Sequence, residues 1–200
     1  MSEGPHIPER KPHQEQIPSI DFLDENLKVS FELAPDVVDH LPKVSGADAA
    51  TGTERYGALL GSYAIDSAGQ VNLQIKGVYQ ETEEELTKYG SYKEGVETVS
   101  VDLGLMRRRI EEIQERHAEY RDFHLIGDVH THPASGIPKP SLTDLQSVIR
   151  MYESGDVASH KPYVFGIGAK RSDGEMEYWF YRIIKTDSGS GYGYKALEHA

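Results

Sequence analysis

Two hundred residues are enough for one domain with a buried core. A formal charge of −12, from 33 acidic against 21 basic side chains, argues against nucleic acid as the main partner, because phosphate binding needs concentrated Lys and Arg. The absence of cysteine excludes disulfides, thiolate zinc sites and thiol nucleophiles, and with them the cysteine-paired zinc deaminase pattern.

Residues 1–25 carry four prolines, several charges and few apolar side chains, and predict a disordered tail. They lack the apolar run of a signal peptide, and no segment is long and apolar enough to span a membrane. A soluble, cytoplasmic protein with no membrane partner is the expectation. Alternation over residues 27–33 predicts a first strand, and Pro35 opens a short helix through Val37, Val38 and Leu41. The small, polar residues 46–53 predict a loop. Residues 55–65 and 71–80 predict two strands joined through Gly69 as a hairpin.

The acidic stretch 81–98, with two glycines and two tyrosines, predicts an inserted loop. Leu103, Met106, Ile110 and Ile113 recur at helical spacing and predict a helix over 102–120. Arg107, Arg108 and Arg109 are followed by Glu111, Glu112 and Glu115, the pattern of a solvated, ion-paired helix face. Residues 123–132 predict a strand, and 133–140 a Pro- and Gly-rich loop. Ser141 then begins a helix with Leu142, Leu145, Val148, Ile149 and Tyr152 on one face. Residues 163–169 and 177–185 predict a closing hairpin, and 186–200 a flexible C-terminal tail. The sequence therefore predicts one α/β domain over 27–185, an α+β mixed sheet flanked by helices.

The chemistry concentrates in GDVHTHPASGIPKPSLTD. His130 and His132 are two apart on a strand, so their side chains share a face. Asp144 falls in the first turn of the following helix, and the loop can fold its carboxylate back toward the imidazoles. Two histidines and one carboxylate make three protein ligands, the number typical of catalytic zinc with one position left for water. Zinc lowers the pKa of a bound water from about 15.7 to roughly 7. Plainer readings stay open here. His130 and His132 can be a solvent-facing polar pair, and Ser141 with Asp144 also spells a helix-capping motif. Asp128 shares the histidines' face, as an ordinary polar strand residue or as a partner behind a ligand. The other seven histidines have no ligand spacing and read as surface residues. Barrel amidohydrolases also begin with Asp-x-His-x-His, but only 68 residues follow His132, too few to complete such a barrel.

His130-x-His132-Pro133 followed by Pro140-Ser141-x-x-Asp144 resembles the signature of the JAMM (MPN-domain) zinc metalloproteases. The segment Glu54-Arg55-Tyr56-Gly57-Ala58-Leu59-Leu60-Gly61 is similar to that family's Glu-bearing strand, and the element order agrees over about residues 27–185. The loop of eight residues between His132 and Ser141 is one longer than the family pattern, an extension that Gly136 and three prolines in a surface loop can absorb.

The resemblance implies a cytidine-deaminase-like fold, a prokaryotic-type deubiquitinase-like member, and zinc on His130, His132 and Asp144. It implies Glu54 as the general base for the attacking water and Ser141 as a donor to the oxyanion; Gly57 and Gly61 read as packing positions. The implied reaction is hydrolysis of peptide or isopeptide bonds after the tail of a ubiquitin-like or sulfur-carrier protein. The competing readings are a non-catalytic MPN scaffold, which would lose ligands that are all present here, and a small-molecule metallohydrolase on the same fold.

Overall fold

The computed structural model describes residues 20–88, 92–95, 98–116, 118–134, 136–186 and 191–199. The first half of the chain forms β1 (Val29–Leu33), α1 (Val37–His40), α2 (Gly46–Thr51), β2 (Tyr56–Ile65) and β3 (Val71–Tyr79). It continues through α3 (Glu83–Lys88), β4 (Tyr92–Gly95), β5 (Thr98–Val101) and α4 (Leu103–Arg116). After a short 3-10 turn come β6 (His124–His132), α5 (Leu142–Glu153), β7 (Val164–Lys170), β8 (Met176–Lys185), β9 (Tyr192–Ala196) and β10 (Glu198–His199). Eight strands join one sheet in the order β10-β1-β3-β2-β6-β7-β8-β9, and β4 pairs with β5 apart from it. Pairing is parallel at β1/β3, β6/β7 and β1/β10 and antiparallel elsewhere in the large sheet, so the fold is the mixed α/β class expected.

The central strands read as apolar runs because both faces are covered. Leu59 of β2 packs with Phe31, Val37 and Leu41 on one face, while Ala58 and Leu60 pack against Met106 and Ile110 of α4 on the other. Farther along the sheet, Phe165 and Ile167 of β7 and Tyr181 and Ile183 of β8 meet Val148 of α5. Gly61 lets β3 approach, since a Cβ there would lie 2.0 Å from the Gln74 carbonyl oxygen; at Gly57 it would strike Val78 at 2.6 Å. Both glycines are packing positions. No helix among the described residues is long and apolar enough to cross a membrane.

Several boundaries differ from expectation, each for a physical reason. Residues 1–19 lie outside the described residues, but 20–25 are packed: Phe22 and Leu23 are only 4% and 2% exposed. The buried Arg182 guanidinium fixes this segment by donating to the carbonyls of Phe22, Asp24 and Leu27 at 2.9, 3.0 and 2.7 Å. A guanidinium's five donors can gather several carbonyls that a single strand pairing would leave unmet. At the other end, 187–190 and 200 are outside the described residues, while β9 extends the sheet beside β8 and β10 pairs with β1.

Residues 46–51 form a helix rather than a loop because Ser45 and Asp48 close a capping box around its start. Within 81–98, α3 and β4 replace the expected loop; residues 89–91 and 96–97 lie outside the described residues. Arg109 is buried rather than solvated: it pairs with Glu112 on its own helix, with Glu85 at 3.1 Å and with the buried Glu81 at 3.9 Å. On α5, Leu142 is 71% exposed, so the apolar face begins one turn later.

Candidate metal centre

The site lies at the C-terminal end of β6, between β2 and β7. His130 is in register with Tyr56 of β2 and Ile167 of β7, and His132 with Ala169. Their parity on the strand places both imidazoles on one face, with ring centroids 5.3 Å apart. Between them Thr131 points the other way and is fully buried. Its hydroxyl oxygen accepts from Arg55 N at 2.9 Å, and its own N–H donates to the Arg55 carbonyl at 2.9 Å. This double bond pattern fixes the backbone next to Glu54, a buried carboxylate just ahead of β2.

The third group arrives through the cap of α5. Ser141 Oγ accepts from Asp144 N at 3.2 Å, and Ser141 N donates to Asp144 Oδ2 at 2.6 Å. The capping box turns the carboxylate back over the strand end: Oδ1 lies 3.2 Å from His130 Nε2, and Oδ2 lies 3.2 Å from His132 Nε2. The capping motif and the candidate ligand set are therefore one structure.

Among the described residues, His130, His132 and Asp144 offer donor atoms that all lie within 4.8 Å of one another. Such a group could hold a metal ion. The fit is supported by His130 Nε2, which is buried and has no hydrogen-bond partner among the described residues; its 3.2 Å approach to Asp144 has the distance of an ion pair without hydrogen-bond geometry. An imidazole nitrogen and a carboxylate oxygen both suit a divalent transition metal, and an orphaned buried nitrogen is costly without one.

The electrostatics agree with a cation site. Burial alone would lower the pKa of His130, but Asp144, Asp128 and Glu54 outweigh it and hold the imidazole above its ordinary value. Burial would raise Asp144, yet the imidazoles of His130 and His132 facing its two oxygens, with Ser141 at the cap, hold it far below the usual carboxylate range. Glu54 is thus close enough for its charge to act on His130, while it stays outside the three converging donors.

Asp128 is not an ordinary polar strand residue. It is 5% exposed and takes a 2.5 Å hydrogen bond from Tyr163 OH. Burial pushes its carboxyl up, against the opposing pull of His130 and Tyr163. A polar residue at core parity within an apolar strand was the available signal. The Thr131–Arg55 lock had none, because it depends on strand register. His40, His124 and His160 are exposed as expected, whereas His6, His13 and His117 lie outside the described residues. A scan against protein-family models finds no match to this chain, and no curated protein matches it.

Proposed function

We propose that the chain is a zinc-dependent hydrolase of the JAMM (MPN-domain) type, cleaving peptide or isopeptide bonds after the C-terminal tail of a ubiquitin-like or sulfur-carrier protein. The observation that carries this reading is the convergence of two imidazoles and one carboxylate at a strand end, with a buried Glu54 beside them but outside the ligand group. Two histidines and a carboxylate without thiolate suit catalytic rather than structural zinc.

Zinc on His130, His132 and Asp144 would supply Lewis acidity and bring a water's pKa near 7. The residues of the chain divide the remaining work. Glu54 accepts a proton from the attacking water and delivers it to the leaving amine, a role worth about 100- to 10,000-fold in rate. Ser141 spends an oxygen lone pair on Asp144 N, which leaves its hydroxyl proton to donate toward the developing oxyanion. Thr131 acts at a distance from the substrate by holding the strand start that carries Glu54.

The test begins with elemental analysis of the purified protein, where about one zinc per chain is expected. His130→Ala and Asp144→Ala should each empty the site. Hydrolysis of a panel of ubiquitin-like and sulfur-carrier fusions should then require zinc. Full metal content in both variants overturns the ligand set, and iron in place of zinc overturns the hydrolase, since the same donor trio serves non-haem iron.

A further inference from the structure

Beside the ligand group a cleft opens between α5 and strands β2, β6 and β7. Tyr56, Val148, Met151 and Phe165 give it apolar walls, and His130 and Asp144 stand at one side. The Asp128 carboxylate also lines this cleft, although it is among the buried residues of the chain. Among the described residues Tyr163 supplies its hydrogen bond, to Oδ2, so Oδ1 is the oxygen left for a guest. Asp156 lies on the rim with Ser154 donating to it at 2.6 Å, and Arg150 is exposed at the mouth.

A carboxylate has about four acceptor positions, and a buried one with a single partner keeps most of them unmet. Burying such a group is costly unless a cation or further donors complete it. An alkyl stem suits the apolar walls, because Lys and Arg lay their methylenes along apolar surface while the head seeks a charge. The net charge of −12 draws cationic partners toward the protein as a whole.

We infer that this cleft binds a guanidinium or ammonium head on an alkyl stem, the basic side chain of a substrate residue flanking the bond to be cut. The head sits against Asp128 and the stem against Tyr56, Val148, Met151 and Phe165. The cleft as a cation site stands on its own lining; that its occupant belongs to a substrate rests on the hydrolase reading above.

The test uses the full-length, zinc-loaded protein and butylguanidinium, with butylurea as its neutral isostere, titrated by NMR and calorimetry. Butylguanidinium should bind at least 10-fold more tightly than butylurea. Asp128→Asn should weaken it at least 10-fold, and so should Ser147→Phe, which fills the cleft from α5 and serves if the buried Asp128 variant fails to fold. Equal binding of the two probes, or wild-type binding by Ser147→Phe, overturns the site whether or not any fusion is cleaved. A second arm varies the residues flanking the cleaved bond among Arg, citrulline and Leu. Arg should exceed citrulline at least 10-fold in kcat/KM at one flank; no preference at either flank overturns the substrate role. Selective butylguanidinium binding with no fusion cleaved leaves the cation site standing and removes the hydrolase instead.

Discussion

Thr131 and Arg55 exchange two hydrogen bonds, one through the threonine hydroxyl and one through its backbone N–H, each at 2.9 Å. The pair ties the strand that carries both histidines to the strand start that carries Glu54. Thr131→Val keeps the shape and the N–H but removes the acceptor for Arg55 N. An unsatisfied buried donor costs about 1–3 kcal/mol, so the melting temperature should fall. Zinc content should stay near one per chain while turnover drops about 10-fold, because Glu54 is loosened and the ligands are not. Normal turnover would show that the lock is structural only.

Glu54→Gln and Ser141→Ala separate holding the metal from using it. Glu54→Gln should keep zinc and fold normally, with turnover lowered about 100- to 10,000-fold because an amide cannot take the proton. Ser141→Ala removes an established helix cap, so it should cost about 1 kcal/mol of stability whatever its chemistry. If the hydroxyl also serves the oxyanion, turnover falls roughly 100- to 1,000-fold at a temperature where the variant is fully folded. Near-normal turnover with the stability loss alone would assign Ser141 to the cap.

Asp48 gives a pH prediction away from the metal. The Arg55 side chain, hydrogen-bonded at 2.6 Å, and the Ser45 cap bring its carboxyl down to about 2 against the opposing effect of burial. A folded-state value below the unfolded one contributes stability above the ordinary carboxylate range and loses it as pH falls toward 2. Asp48→Asn should therefore be less stable than wild type near neutral pH, with the gap closing between about pH 4 and pH 2. Thermal melts across that window check it; a constant gap would contradict the linkage.

Truncation should divide at residue 20. Deleting 1–19 should leave the melting temperature nearly unchanged, since that segment's composition offers little to bury. Deleting 1–25 also removes Phe22 and Leu23, whose burial is worth about 1.5–3 kcal/mol each, and strips carbonyl partners from Arg182. The longer deletion should lower the melting temperature sharply; equal effects from both would refute the division.

The strands carrying the site were legible because their apolar runs and parity are local signals: residues 123–132 read as one strand, and His130 and His132 share its face. The start of α5 was legible for the same reason, through Ser141 and Asp144. Ser45 and Asp48 carry the same capping spacing, yet the small residues around them read as a loop. Residues 20–25 and 191–199, read as parts of tails, were misjudged because their order comes from distant partners. Phe22 is held by Arg182 and Ser159, far along the sequence, and β10 by β1. Arg109 likewise looks solvated from its own helix, but Glu81, Glu85 and Tyr79, all earlier in the chain, meet its buried guanidinium.

Asp144 closes the helix box through Ser141 and faces both imidazoles with the same carboxylate. Selection for folding alone would preserve it, even in a descendant that had lost both imidazoles. Neither histidine has such a second employment among the described residues, so drift would erase the imidazoles first. Across any lineage of this chain, the paired histidines report whether the three donors could still hold an ion, and the aspartate only whether the helix is intact.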